Sequence, residues 1–183
     1  MLNLPNYLTI LRITVIPFVM IFLFFPGKLA AFFAALLFSI GAITDLLDGY
    51  IARQQDAVTF LGKALDPLAD KLLITAALVM LIPLGRVPAW MAVIIISREI
   101  AVTGLRGVTA MEGSIISASN LGKYKTIFQD TALIALLLHY EYIYVDLHTV
   151  GMFFLWVALI VTLWSGFDYF YRFFKEAQST ING

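Results

Sequence analysis

Long apolar runs alternate with short polar breaks along this chain. A transmembrane helix needs about 20 largely apolar residues, and six stretches approach that length. They lie at residues 8–25, 30–53, 63–84, 88–110, 123–140 and 147–172. The breaks between them carry proline, glycine and polar residues, which are typical of turns. The pattern predicts an all-α integral membrane protein with six transmembrane helices in a single domain spanning residues 1–183.

Composition supports a membrane protein. Hydrophobic residues make up 61% of the 183 residues and charged residues 13%, with a mean hydropathy of +0.92. Soluble domains have apolar residues near half and charged residues near a quarter. Cysteine is absent, which excludes disulfides, zinc–thiolate sites and cysteine nucleophiles. The N-terminus lacks a signal-peptide pattern. We also expect no nucleic-acid partner.

Basic residues gather at one end of the predicted helices. With a cytoplasmic N-terminus, only Lys28 and Arg86 fall on the outer side. The cytoplasmic half then holds Arg12, Arg53, Lys63, Lys71, Arg98, Arg106, Lys123, Lys125, Arg172 and Lys175. The positive-inside rule therefore predicts that both termini are cytoplasmic.

Polar residues within the predicted helices also gather in the cytoplasmic halves, whereas the outer halves are almost purely aliphatic and aromatic. This distribution predicts a polar cavity that opens to the cytoplasm. A transporter would be expected to place its site near the midplane on broken helices. A cation transporter is therefore a remote alternative.

Four aspartates occupy the stretch from residue 45 to residue 70. Asp45 and Asp48 are three residues apart and Asp66 and Asp70 are four apart, so each pair shares one face of a helix. Buried carboxylates require partners, and oxygen ligands suit Mg²⁺ or Mn²⁺. The alternative is a set of helix caps and surface ion pairs at a membrane boundary, which is less favoured for four aspartates together.

Residues around the aspartates suit a phosphate-bearing ligand. The Arg53 guanidinium can bind phosphate oxygens, and Gly49, Ala52 and Gly62 lack bulk, so a large ligand can approach the backbone. With the carboxylates, these residues predict a diphosphate held by divalent metal ions and a phosphoryl-transfer reaction.

Polar residues near the start of the first predicted helix have two interpretations. Asn3, Asn6 and Thr9 can cap a helix start. Alternatively, Asn6, Thr9 and Arg12 form a nucleotide-facing wall at the mouth of the cavity.

Four basic residues on the fourth and fifth predicted helices indicate a second anionic ligand. Any one of them can be a boundary residue whose charge reaches the membrane surface. Together, beside a predicted metal site, they favour a phosphate on the acceptor. We interpret Arg106, Lys123 and Lys125 as its ligands, with Arg98 as a further candidate. Glu99 shares a helix face with Arg106, which predicts an internal ion pair.

The aspartate stretch resembles a known signature. The pattern Asp45-x₂-Asp48-Gly49-x₂-Ala52-Arg53-x₈-Gly62-x₃-Asp66-x₃-Asp70 is similar, at every position, to that of the CDP-alcohol phosphotransferase family. The segments LPNYLTILR, SREIAVTGLR and SASNLGKYKTIFQ resemble the phosphatidylglycerophosphate synthase branch of that family. The resemblance covers nearly the whole chain.

This resemblance implies a six-helix enzyme that transfers the phosphatidyl group of CDP-diacylglycerol to sn-glycerol 3-phosphate in phospholipid biosynthesis. It implies that the four aspartates bind two divalent ions and that Asp70 also deprotonates the acceptor hydroxyl. The implied CDP-binding residues are Asn6, Thr9, Asp48, Gly49, Ala52, Arg53, Gly62 and Asp66. A homodimer in a bacterial inner membrane, with its active site facing the cytoplasm, is also implied.

Other readings remain at this point. A different member of the family would use inositol phosphate, serine or phosphatidylglycerol as acceptor. An intramembrane prenyltransferase would show two separated aspartate-rich motifs and more helices. A cation transporter would carry metal ions and release no CMP.

Overall fold

The computed structural model describes residues 4–54, 60–111, 120–142 and 144–181. Side-chain positions are described at residues 7, 9–44, 68–109, 122, 124–142 and 144–175. Within these ranges the chain forms helices α1 Leu4–Phe24, α2 Lys28–Gln54, α3 Phe60–Leu81, α4 Ala89–Met111, α5 Asn120–Leu138 and α6 Leu147–Ile181. A short antiparallel hairpin, β1 Glu141–Tyr142 and β2 Val145–Asp146, joins α5 to α6.

The helical prediction is confirmed. Each predicted apolar stretch corresponds to one helix, and most boundaries agree within four residues. The largest difference is at the end of α6, which continues to Ile181 rather than stopping at residue 172. Its 35 residues span about 50 Å, more than the hydrocarbon thickness that set the predicted length.

One apolar core joins all six helices. Its largest fully buried members include Phe38 of α2, Leu78 of α3 and Leu133 of α5. The most extensive packing is between α5 and α6, where a Cβ on Gly151 would lie 2.6 Å from Cγ of Leu136. Glycine at this position therefore lets the two helices approach closely.

The α1–α2 turn, the α3–α4 turn and the hairpin meet at one end of the helices. We call this region, which comprises residues 25–28, 82–88, 139–142 and 144–146, the hairpin end. Arg86 Nη1 donates to the carbonyl oxygens of Leu136 and Leu137 at 3.3 and 2.9 Å. Lys28 Nζ donates to the carbonyl of Glu141 at 3.1 Å. These bonds tie the three connections together.

The outer surface is rich in exposed apolar side chains, among them Phe24, Leu29 and Phe167. One segment, Leu147–Lys175, is long and apolar enough to cross a membrane, with a mean hydropathy of 2.0. Shorter apolar segments occur at Thr9–Phe24 and Lys28–Thr44. The predicted number of transmembrane helices and the side on which the termini lie stay predictions.

Candidate functional site

Five charged side chains from three helices form what we call the ion-pair cluster: Asp70, Lys71, Arg98, Glu99 and Lys125. Glu99 is at its centre. Oε1 of Glu99 accepts from Nζ of Lys125 and, at 3.0 Å, from Nη1 of Arg98. Oε2 of Glu99 lies 2.8 Å from Nζ of Lys71, which also donates to Oδ2 of Asp70 at 3.1 Å. The cluster therefore links the end of the aspartate stretch to the predicted phosphate ligands.

Helix packing explains how these charges meet. Asp70 and Lys71 come from α3, Arg98 and Glu99 from α4, and Lys125 from α5. Arg98 also reaches α6, where its Nη2 donates to Oγ of Ser165 at 2.8 Å. A Cβ on Gly166 would lie 3.2 Å from Cγ of Arg98. The missing side chain at this position leaves room for the arginine stem, so α6 orients the guanidinium.

The cluster is largely withdrawn from solvent. The exposed side-chain fraction is 7% for Glu99, 4% for Lys125 and 12% for Arg98. Its five members carry three positive and two negative charges. Charges in such a setting are costly without partners, and one positive charge is left over within the five. This balance favours an anionic ligand.

A cavity of about 430 Å³ lies between α3 and α4 beside the cluster. It is lined by Leu68, Lys71, Thr75, Glu99, Ile100, Thr103 and Gly104. Its lining is mainly apolar, and its charged wall belongs to the ion-pair cluster. Leu68 and Ile100 are exposed at its border. The cavity can therefore receive a ligand with both a polar and an apolar part.

The structure describes one of the four predicted metal ligands fully. Asp70 is partly buried, with 20% of its side chain exposed. Asp45 and Asp48 lie within α2 and Asp66 within α3, so the predicted helical spacing of both pairs is confirmed. The side chains of these three lie outside the described residues. Among the side chains that are described, no three His, Asp or Glu residues form a metal site. The metal centre stays a prediction.

Most predicted CDP-binding residues have side chains outside the described part of the structure. The side chains of Asn6, Ala52 and Arg53, and the surroundings of Gly49 and Gly62, lie outside the described residues. The side chains of Asp48 and Asp66, which are predicted for the same pocket, also lie outside the described residues.

Thr9 and Arg12 are described, and both are buried within α1. Because α1 begins at Leu4, Thr9 lies in its second turn, and the interpretation of Thr9 as a helix cap is wrong. The Arg12 side chain packs near Gly41 of α2, where a Cβ would lie 3.8 Å from its Cγ. Buried polar side chains at this place are compatible with the predicted wall of an internal site.

The predicted phosphate ligands separate into two groups. Arg98 and Lys125 meet in the ion-pair cluster. Arg106 is exposed, and its Cζ lies 5.4 Å from the centre of the Tyr169 ring on α6. The Lys123 side chain lies outside the described residues. Glu99 does form the expected internal ion pairs, but with Lys71, Arg98 and Lys125 rather than with Arg106.

Two members of the cluster were not predicted as site residues. Lys71 directly follows the last aspartate of the motif, and Glu99 is an acidic residue in the middle of an apolar helix. A carboxylate in such a helix requires a cation nearby. This requirement is the signal by which Glu99 can be found.

Comparisons with known proteins agree with the resemblance seen in the sequence. A family model described as CDP-alcohol phosphatidyltransferase matches residues 2–164. The CDP-diacylglycerol–glycerol-3-phosphate 3-phosphatidyltransferase of Bacillus subtilis (strain 168) is 45% identical, and the alignment covers 100% of both chains.

Two further relatives carry the same name. The one from Rickettsia bellii (strain RML369-C) is 43% identical over 92% of this chain and 93% of its own. The one from Haemophilus influenzae (strain ATCC 51907 / DSM 11121 / KW20 / Rd) is 40% identical over 91% of each.

Proposed function

Because this chain belongs to the CDP-alcohol phosphatidyltransferase family, we propose that it transfers the phosphatidyl group of CDP-diacylglycerol to sn-glycerol 3-phosphate. The products are phosphatidylglycerophosphate and CMP. The names of relatives that align along the whole chain support this reaction. The structural observation that carries the proposal is the cluster of three cations around the buried Glu99, next to Asp70. An acceptor with a phosphate group matches the excess positive charge of that cluster.

The acceptor is bound through its phosphate. Arg98 and Lys125 donate to the phosphate oxygens, and the guanidinium of Arg98 is held in place by Ser165. Arg106, which lies over Tyr169 outside the ion-pair cluster, and Lys123 are the further proposed phosphate ligands. A neutral alcohol would leave the net positive charge of the five-residue ion-pair cluster without a further anion, which is unfavourable for Lys125 in its buried setting.

Asp70 is the general base. Its carboxylate accepts the proton of the acceptor hydroxyl while that oxygen forms a bond to the phosphorus of the phosphatidyl group. The bond from this phosphorus to the CMP oxygen breaks, and CMP leaves. Lys71 holds Oδ2 of Asp70 at 3.1 Å, so the other oxygen, Oδ1, is oriented for the acceptor.

Asp45, Asp48, Asp66 and Asp70 would hold two divalent ions, Mg²⁺ or Mn²⁺. The donor set fits, because all four residues offer the hard carboxylate oxygens that these ions prefer, in pairs on two helices. Bound there, the ions would neutralise charge on the diphosphate. The CDP moiety would lie along Asn6, Thr9, Asp48, Gly49, Ala52, Arg53, Gly62 and Asp66.

All six helices cross the inner (plasma) membrane in this proposal, with both termini and the active site on the cytoplasmic side. The exposed apolar side chains support contact with lipid. The placement of Lys28 and Arg86 at the hairpin end, away from most basic residues, supports the orientation. Two copies would form the homodimer implied by the family resemblance.

The test is an assay of CMP release from CDP-diacylglycerol by the purified protein with a panel of acceptors. We expect release with glycerol 3-phosphate and Mg²⁺ or Mn²⁺, and none with glycerol or after chelation of the metal. Activity with serine, inositol phosphate or phosphatidylglycerol, and none with glycerol 3-phosphate, would overturn the proposed acceptor. Metal flux into vesicles without CMP release would indicate a transporter.

A further inference from the structure

Glu99 is the common partner of every cation in the ion-pair cluster. Its Oε1 contacts Lys125 and Arg98, and its Oε2 contacts Lys71. The carboxylate therefore has both oxygens engaged by cations from three different helices. At 7% exposure it has little access to water, so these cations are its main partners.

Lys71 extends this arrangement to the proposed base. Its Nζ lies 2.8 Å from Oε2 of Glu99 and 3.1 Å from Oδ2 of Asp70. A continuous chain of contacts thus runs from Arg98 and Lys125, through Glu99 and Lys71, to Asp70. It joins two proposed phosphate ligands, Arg98 and Lys125, to the proposed base.

We propose that Glu99 is a positioning residue that sets the distance between the acceptor phosphate and the base. It holds Arg98 and Lys125 for the phosphate and, through Lys71, fixes Asp70 for the hydroxyl. This inference rests on the proposed function and adds two residues to it. Three cations so close together repel one another, and long side chains left without a shared carboxylate would have to be ordered by the acceptor itself.

The proposed positioning role of Glu99 requires the negative charge of a carboxylate as well as a side chain of this shape. A glutamine has one acceptor oxygen, while its NH₂ group donates. In place of Glu99, the amide would direct N–H groups at Lys71 or at the Arg98–Lys125 pair. Glu99→Gln therefore disturbs the cations with almost no change in volume, whereas Glu99→Asp keeps the charge on a shorter stem.

The experiment compares Glu99→Gln and Glu99→Asp with a matched control, Asp168→Asn. Asp168 is the acidic partner of Arg172 in a surface ion pair on α6, so the control makes the same carboxylate-to-amide change elsewhere. Initial rates of CMP release are measured while each substrate is varied in turn. We expect Glu99→Gln to raise the KM for glycerol 3-phosphate about tenfold or more, with the KM for CDP-diacylglycerol changed less than about twofold. Glu99→Asp should lie between Glu99→Gln and the wild type.

A second pair of variants tests the Lys71 step separately. Lys71→Gln leaves Arg98 and Lys125 on Oε1 of Glu99 and removes the positive charge that pairs with Asp70. It should lower kcat about tenfold or more while the KM for glycerol 3-phosphate changes less than about threefold, since Asp70 loses its orientation. Lys71→Arg, which keeps a cation, should restore part of the loss.

The outcomes distinguish the inference from the proposed function. A wild-type protein that uses another acceptor but not glycerol 3-phosphate overturns both. A wild-type protein that uses glycerol 3-phosphate, with Glu99→Gln kinetics equal to those of Asp168→Asn, overturns the inference alone. Equal increases in both KM values, or a Lys71→Gln variant with unchanged kcat, would also overturn it. If Glu99→Gln does not fold, the Lys71 pair and Glu99→Asp decide by the same criteria.

Discussion

The hairpin end and the ion-pair cluster use the same basic residue types in different ways. At the hairpin end, Arg86 binds the carbonyl oxygens of Leu136 and Leu137, and its Cζ lies 5.9 Å from the centre of the Tyr140 ring. In the cluster, Arg98 binds a carboxylate and a hydroxyl from two helices. The first arginine satisfies backbone groups, and the second takes part in a group of charges.

From this difference we infer that Arg86 is a structural cation, whereas Arg98 is a proposed ligand-binding one. The last carbonyls of a helix lack partners within it and carry partial negative charge, so Arg86 completes α5. The cluster does not satisfy the carbonyls of a helix end in this way. Buried ion pairs are also often no more stabilising than apolar packing. Charges kept at that cost, next to a predicted base, are better explained by a ligand that needs them.

The largest effect is expected from Asp70→Asn. An amide cannot accept the proton of the acceptor hydroxyl, so turnover should fall by at least about 100-fold. Some binding of CDP-diacylglycerol should remain, since the proposed CDP-binding residues are unchanged in this variant. CMP release and lipid binding are measured together, with Asp168→Asn as the control. Activity near the wild-type level would exclude Asp70 as the base and weaken the functional side of the comparison.

Lys125→Ala tests the cluster at its most buried cation. Loss of a charged donor to phosphate costs about 1.5–3 kcal/mol, which corresponds to a KM for glycerol 3-phosphate raised roughly 10- to 150-fold. The KM for CDP-diacylglycerol should change little. Lys175→Ala removes an exposed lysine of α6 and serves as the matched control. Equal effects on both substrates would indicate a general structural role for Lys125.

Arg86→Ala makes the corresponding change at the hairpin end and should have the opposite profile. Both KM values should stay within about twofold of the wild type, because Arg86 contacts backbone carbonyls at the other end of α5. Thermal stability should decrease, with Tm lower by on the order of 5 °C. A thermal melt in detergent and the same kinetic assay check this. A raised KM for glycerol 3-phosphate would contradict the assignment of a purely structural role to Arg86.

The sequence was sufficient for the helices, and it indicated three of the five members of the ion-pair cluster, Asp70, Arg98 and Lys125, as candidate site residues. Apolar length is a local property, so the six helices follow from it within a few residues. The aspartate pairs follow from spacing on a single helix. Arg98 and Lys125 were among the predicted phosphate ligands for a different reason, because they lie in the same predicted cytoplasmic half of the helices as the aspartates.

The partners of Glu99 could not be obtained in this way. Spacing along α4 indicated Arg106, but Arg106 lies over Tyr169, and Glu99 pairs with Lys71 and Lys125 of other helices. Which side chains meet between helices depends on how each helix is rotated and shifted against its neighbours. The hairpin was also missed, because strands of two residues leave no periodic pattern.

The smallest effect is expected from Asp146, which caps α6 at the hairpin end. Its Oδ1 accepts from the backbone N–H of His148 at 3.0 Å, and its Oδ2 accepts from Oγ1 of Thr149 at 2.5 Å. The hydrogen bond from Thr149, followed by the bonds from the backbone, lowers the pKa of the Asp146 carboxyl below its usual value. Because the pKa is lower in the folded state, the stabilisation is complete above the unfolded pKa and is lost as pH falls through the folded one.

Asp146→Ala should therefore lower Tm at neutral pH, by less than Arg86→Ala, and leave both KM values unchanged. Asp146→Asn should stay close to the wild type at neutral pH, since asparagine is an equally good cap. The difference in Tm between the wild type and Asp146→Ala should narrow on acidification below the usual carboxyl pKa of 3.8. Thermal melts over a pH series measure it. A difference that stays constant through the acid range would mean that the cap acts without its charge, whereas a changed KM would extend the functional region to the hairpin end.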